Sequence, residues 1–80
     1  MQKADICFMT KEELNINIGQ KIKEIRNLKQ MNQSDLARAC NKDRQAIEKI
    51  ENGKVNPTLF TLYEISKALD TKIETILKGI

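Results

Sequence analysis

Residues 43–53, with the sequence DRQAIEKIENG, carry the side chains of this chain that are best suited to recognition chemistry. Ile47 and Ile50 lie three residues apart, which gives a short helix one narrow apolar stripe to bury. Around them stand long polar side chains, among them Arg44, Gln45, Glu48, Lys49 and Asn52. A helix face that offers arginine, glutamine and lysine together can form directed hydrogen bonds and can bury almost nothing. The stretch therefore predicts a binding surface.

The positive charge of the chain is concentrated around this stretch. Residues 19–56 hold nine Lys or Arg against five Asp or Glu, a net charge of +4, whereas residues 1–18 have a net charge of −1 and residues 57–80 a net charge of 0. A basic middle favours a polyanionic partner, although many solvated surfaces carry as much charge. Charge alone therefore indicates a polyanion without identifying it.

The composition argues against several classes of protein. Eighty residues with 40% hydrophobic and 31% charged content form one small globular domain. The chain has no histidine, neither Cys7 nor Cys40 has a base to activate it, and no phosphate loop or carboxylate pair is present, so we expect no enzyme. We also expect no metal and no cofactor, because a zinc site needs four ligands. Without a membrane-spanning run or a signal peptide, a cytoplasmic protein with reduced thiols is expected.

The first of five predicted helices has a periodic inner stripe. This stripe consists of Ile18, Ile22, Ile25 and Leu28. The helix begins either at Asn15 or Asn17, as an N-cap, or about one turn earlier at a capping box formed by Thr10 and Glu13.

Two short helices joined by a tight turn come next. Asn32 is the N-cap of the second helix, and Asn41 ends it because asparagine tolerates the left-handed conformation. Asp43 caps the third helix and Gly53 stops it. The inner face of the second helix is Leu36, Ala37 and Cys40. Neither helix would persist in isolation, so together they predict a helix-turn-helix held by the other helices.

The last two helices complete the predicted core. Thr58 caps the fourth helix after the loop GKVNPT. The stripe of the fourth helix is Leu59, Leu62, Ile65 and Leu69, and that of the fifth is Ile73, Ile76 and Leu77. The predicted fold class is all-α, a compact five-helix domain with a helix-turn-helix formed by helices 2 and 3.

The segment NQSDLARACNKDRQAIEKIENGKVNP resembles the Cro/lambda-repressor-like, or XRE-like, helix-turn-helix family. The elements that carry the resemblance are Gln33, Leu36, Ala37, Ile47, Ile50, Glu51, Gly53, Asn56 and Pro57. The resemblance covers residues 18–78. It implies a lambda-repressor-like fold and a regulator, such as a repressor, that binds double-stranded DNA in the major groove. Such proteins usually bind a palindromic operator as homodimers.

The resemblance also assigns roles to the polar positions. Because the N-terminal residues of the second helix of a helix-turn-helix enter the major groove, base reading is expected from Arg44, Gln45 and Lys49. Asp43 or Glu48 is expected to select a cytosine. The candidate phosphate contacts are Gln33, Lys42, Asn52 and Lys54.

Two departures from the family pattern and one expected ion pair concern positions around the turn and the core. Asn41 stands where the family usually has glycine, and Lys42 where it usually has an apolar residue; the stem of Lys42 should cover the core while its ammonium reaches out. Glu51 lies at the edge of the buried stripe of the third helix, and Arg26 flanks the inner stripe of the first. We therefore expect a hydrogen-bonded, bidentate Arg26–Glu51 pair, which the resemblance also supports.

Residues 1–17 fall outside the resemblance and are expected to form an N-terminal extension to a helix-turn-helix domain at residues 18–80. The extension is either partly disordered or binds a protein partner. In the second case the chain would be the antitoxin of a toxin–antitoxin pair, which binds its operator and a protein. Two homodimer contacts remain open, one through residues 6–9 pairing as a strand and one through Phe60, Tyr63, Leu77 and Ile80.

Overall fold

Five helices follow one another in the computed structural model, which describes residues 9–78. They are α1 (Lys11–Leu28), α2 (Gln33–Ala39), α3 (Arg44–Glu51), α4 (Leu59–Ala68) and α5 (Ile73–Leu77). The predicted all-α fold, with α2 and α3 as the helix-turn-helix, is confirmed. Cys7, Ile80 and residues 6–8 of the alternative dimer strand lie outside the described residues.

Helix α1 begins at the earlier of the two predicted starts. The Thr10 hydroxyl accepts a hydrogen bond from the Glu13 backbone N–H over 3.0 Å, and the Glu13 carboxylate accepts one from the Thr10 backbone N–H over 2.9 Å. This reciprocal pair satisfies two backbone donors that a helix start would otherwise leave open. Asn15 and Asn17 consequently lie inside the helix, and residues 11–17 are helical.

The next three helices begin at the residues predicted as their N-caps. Asn32 caps α2 with Asp35 in a capping box, and Asp43 caps α3 by accepting from the Ala46 N–H over 2.8 Å. Thr58 caps α4 by accepting from the Thr61 N–H over 3.0 Å.

Helices α1 to α4 each end just before a residue in the left-handed conformation. These residues are Gln30, Asn41, Gly53 and Asp70, with φ between 55° and 72°. In the turn between α2 and α3, the Lys42 N–H donates to the Ala37 carbonyl over 2.8 Å, and the Asn41 N–H donates to the Arg38 carbonyl over 3.3 Å. Asn41 thus takes the conformation that glycine usually supplies, and the backbone itself closes the turn.

The core is formed by one face of every helix. Its fully buried side chains include Ile22, Leu36, Ile47, Ile65 and Ile76. Three predicted core positions are wrong, since Leu28 is 82% exposed, Leu59 is 70% exposed and Leu77 is 37% exposed. Each lies at one end of its helix, where the apolar stripe continues beyond the core.

The position of α3 depends on close packing against α1. A Cβ atom at Gly19 would lie 2.4 Å from the carbonyl oxygen of Ile50 and 2.5 Å from that of Glu51. Only glycine allows α1 to approach the end of α3 this closely. Helix α3 also packs on α2, and α5 packs on α1 and α4. No helix within residues 9–78 has the length and apolar character needed to cross a membrane.

Candidate nucleic-acid interface

The inner side of α3 is held by a buried ion pair. Arg26 Nε donates to Glu51 Oε2 over 2.6 Å, and Arg26 Nη2 donates to Glu51 Oε1 over 3.0 Å. The two side chains are only 9% and 1% exposed. Arg26 Nη1 also donates to the Met31 carbonyl over 2.8 Å, which ties the pair to the loop before α2. The pair is therefore bidentate and joins α1, α3 and that loop.

Gln33 connects the buried pair to the exposed start of α3. Its Nε2 donates to Glu51 Oε1 over 3.1 Å, while its Oε1 accepts from Arg44 Nη1 over 3.2 Å. Since Gln33 is the first residue of α2, the cap at Asn32 sets its position. Gln33, expected as a phosphate contact, is in this structure a link between Glu51 and Arg44.

The outer face of α3 carries the residues expected to read bases. Arg44, Gln45 and Lys49 are all exposed, whereas Ile47 and Ile50 on the opposite face are buried. Asp43 immediately precedes them, and one of its carboxylate oxygens is occupied by the cap to Ala46. The structure thus places the proposed base readers on one exposed helix surface.

Glu48, Asn52 and Lys54 form a polar cluster near the end of α3. Asn52 Nδ2 donates to Glu48 Oε2 over 2.6 Å, and Lys54 Nζ lies 3.5 Å from the same oxygen. From the sequence we expected Glu48 as a candidate cytosine reader and Asn52 and Lys54 as phosphate contacts. The contacts among these three side chains were not predicted. The four-residue spacing of Glu48 and Asn52 was an available signal, because such residues are neighbours on a helix surface.

The ammonium of Lys42 lies next to a carboxylate on α4. Lys42 Nζ is 3.1 Å from Glu64 Oε1, and the side chains are 25% and 31% exposed. We expected the Lys42 ammonium to extend away from the core. It instead pairs with Glu64, a partner that the sequence did not indicate. Burial raises the pKa of the nearby Cys40 thiol, which the Lys42 charge lowers and the Glu64 charge raises. Within residues 9–78 no group of three His, Cys, Asp or Glu side chains could hold a metal ion.

Four exposed apolar side chains lie on α4 and α5. Leu59 and Phe60 are 70% and 66% exposed, Tyr63 is 47% exposed and Leu77 is 37% exposed. The rings of Phe60 and Tyr63 face each other with centroids 6.1 Å apart. The exposure of both rings leaves them available for contact with another molecule.

Comparisons with known proteins agree with this arrangement. The helix-turn-helix family HTH_3 matches residues 22–76. The control protein C.SmaI of Serratia marcescens is 34% identical over 77 residues, covering 96% of this chain and 88% of that protein. The structure of the restriction-modification controller protein C.AhdI from Aeromonas hydrophila is similar with a TM-score of 0.75, at 28% identity over 76% of this chain and 92% of that chain.

A second controller protein has been solved with its DNA. C.Esp1396I, a tetramer in complex with its natural 35 base-pair operator, is similar with a TM-score of 0.71, at 37% identity over 81% of this chain and 96% of that chain. The extent of these matches shows that the present chain belongs to the helix-turn-helix family. It is a DNA-binding transcription regulator of the XRE-like type.

Proposed function

We propose that the chain reads a specific operator by inserting the N-terminal half of α3 into the major groove. The observation that carries this proposal is the exposed row of Arg44, Gln45 and Lys49 on a helix whose opposite face is buried. In a helix-turn-helix it is the start of the second helix that contacts base edges. Gln33 supports the same orientation, because it holds Arg44 at the tip of α3.

Side-chain chemistry indicates which bases are read. Arginine pairs in a bidentate manner with O6 and N7 of guanine, and glutamine with N6 and N7 of adenine. We therefore propose a half-site with a guanine opposite Arg44 and an adenine opposite Gln45, with Lys49 one turn deeper. Asp43, which uses one carboxylate oxygen to cap Ala46, would accept a hydrogen bond from a cytosine amino group with the other, since Glu48 is occupied by Asn52 and Lys54.

The flanking polar residues would position the protein on the sugar–phosphate backbone. The candidates are Gln33, Lys42, Asn52 and Lys54. Three of these bonds require exchange of partners, since Lys42 lies beside Glu64 and both Asn52 and Lys54 lie beside Glu48. Such partly exposed pairs are weak, so a phosphate can replace the carboxylate.

A symmetric homodimer would read the two halves of a palindrome. Two recognition helices related by a two-fold axis contact half-sites about 34–36 Å apart on one face of the DNA. The dimer contact we propose is made by the exposed apolar side chains of Leu59, Phe60, Tyr63 and Leu77. That C.Esp1396I binds its operator as a tetramer supports assembly of this kind. Sedimentation that shows only monomers at high concentration, with and without operator, would contradict the homodimer.

Selection of binding sites from random duplex DNA, followed by alanine substitution, tests the base-reading proposal. Arg44→Ala should weaken binding by about 1–3 kcal/mol and relax the preference at one base pair of each half-site. Gln45→Ala should relax a different base pair. If both variants keep the affinity and the base preference of the wild-type chain, this face of α3 does not read DNA.

The salt dependence of binding tests the phosphate contacts. For a selected site, Lys54→Ala should lower the slope of log affinity against log salt by about 1 per subunit and weaken binding without changing the preference at any base pair. Lys67→Ala, which removes an exposed lysine at the end of α4, is the matched control and should leave the slope unchanged. A loss confined to one base position would show that Lys54 reads a base instead.

A further inference from the structure

A single carboxylate oxygen holds two of the side chains that are proposed to contact phosphates. Glu48 Oε2 accepts from Asn52 Nδ2 over 2.6 Å and lies 3.5 Å from Lys54 Nζ. Glu48 therefore satisfies the amide of Asn52 and neutralises the charge of Lys54 at the same point. In the free protein, both groups are therefore directed to Glu48 and not to the surface that would face a phosphate.

The position of Glu48 on α3 brings its negative charge into the interface. It lies four residues after Arg44 and four residues before Asn52, so it is a neighbour of both on the helix surface. Its side chain is 33% exposed, against 61% for that of Lys54. A carboxylate in this place attracts the lysine and repels an approaching phosphate.

We propose that Glu48 is a positioning residue that holds Asn52 and Lys54 back from phosphates and thereby suppresses binding to DNA of unrelated sequence. This inference rests on the proposed base reading by α3. On unrelated DNA, no base contact compensates for separating Lys54 and Asn52 from the carboxylate. On the operator, contacts of Arg44 and Gln45 bring a phosphate close, and the two side chains exchange Glu48 for it.

The charge of Glu48 can be removed while its shape is kept. In Glu48→Gln the amide oxygen can still accept from Asn52, but the attraction for Lys54 is lost. Binding to a random-sequence duplex, measured by fluorescence anisotropy over a range of salt concentrations, should become about threefold to tenfold tighter at low salt. The salt slope should steepen by about 1 per subunit, because Lys54 is then free to displace a counterion. Affinity for a selected site should rise less, so the ratio of specific to non-specific affinity should fall.

Two further variants separate local action from net charge. Glu24→Gln removes an exposed acid from α1 and changes the net charge by the same amount, so it should alter random-duplex affinity much less. In a Lys54→Met background, Glu48→Gln should lose most of its effect, since the residue it restrains is absent. Melting curves of every variant confirm that the chains compared are folded.

The outcomes distinguish this inference from the function on which it rests. A wild-type chain that binds neither random nor selected duplexes would overturn both. Wild-type binding with the same gain in Glu48→Gln and Glu24→Gln would overturn the role of Glu48 alone. Weaker binding of Glu48→Gln with a lost preference at one base pair would also overturn it, because Glu48 would then read a base.

Discussion

Glu48 and Glu51 lie three residues apart on α3, and their surroundings differ in every respect. Glu51 is 1% exposed and bound by two nitrogens of Arg26, whereas Glu48 is 33% exposed and holds Asn52 and Lys54 by one oxygen. A buried carboxylate that loses its partner cannot be rescued by water, while an exposed one can. The same residue type therefore fixes the fold on one side of the helix and leaves exchangeable contacts on the other.

The largest effect that this comparison predicts is on stability. Glu51→Ala should lower the free energy of unfolding by about 3–5 kcal/mol, because it leaves the buried Arg26 guanidinium without its counter-charge. Glu48→Ala, the matched change on the exposed side, should cost less than about 1 kcal/mol. Urea denaturation of both variants measures the difference. Equal losses would show that the two glutamates are equivalent and would contradict the distinction.

The packing that brings Glu51 to Arg26 can be tested at Gly19. Gly19→Ala should destabilise the fold by about 1–3 kcal/mol, since the added methyl group collides with the carbonyls at the end of α3. Gln20→Ala introduces alanine at the next, exposed position of the same helix and should be nearly neutral or stabilising. Thermal melts compare the two variants. A Gly19→Ala chain as stable as the parent would mean that α1 and α3 are less closely packed.

Gln33 connects the buried Glu51 to the exposed Arg44. Removing its side chain separates an effect on stability from an effect on DNA binding. Gln33→Ala should cost only about 0.5–1.5 kcal/mol of stability, since Glu51 keeps both bonds to Arg26. It should nevertheless weaken binding to a selected site and broaden the base preference opposite Arg44, which loses its hydrogen-bond acceptor. Denaturation and binding assays on one preparation separate these effects. Unchanged base preference would show that Arg44 is positioned without Gln33.

The smallest effect on stability is expected at Cys40, which is buried at the end of α2. Burial raises the pKa of its thiol, so the folded chain retains the proton that an unfolded chain releases near the ordinary thiol pKa of 9.0. Its contribution to stability is therefore present below that pH and is lost as the pH rises through the raised pKa. In a Cys7→Ser background, iodoacetamide should alkylate folded Cys40 far more slowly than the urea-unfolded chain. Equal rates would contradict its burial.

Much of the fold could be predicted because caps and apolar spacing act locally. Asn32, Asp43 and Thr58 begin their helices as expected, and Asn41 has the left-handed conformation, with φ of 60°. Periodicity failed at Leu28, Leu59 and Leu77, since spacing shows which side of a helix is apolar and not how far the core extends. The faces of the helices were thus predictable, and the limits of the core were not.

For the candidate site, the sequence predicted which residues lie on the exposed face of α3, but it predicted few of the contacts between side chains. The ion pair of Arg26 and Glu51 could be predicted, because each residue lies at the edge of the inner stripe of its helix. The contact of Lys42 with Glu64 joins residues 22 positions apart, and it depends on how α4 packs. Long side chains such as Lys54 and Glu48 have several partners within reach, and only the folded arrangement selects one.

A scan with 7-deazaguanine tests most directly the central claim that the outer face of α3 reads bases. Each guanine of a selected half-site is replaced in turn by this analogue, which lacks the N7 acceptor, and binding is measured for the wild-type chain and for Arg44→Ala. We expect one guanine whose replacement weakens wild-type binding by about 1–3 kcal/mol, and no further loss at that position in Arg44→Ala. Wild-type binding that is insensitive to every replacement, or Arg44→Ala that keeps the full sensitivity, would contradict the assignment of Arg44 and the placement of α3 in the major groove.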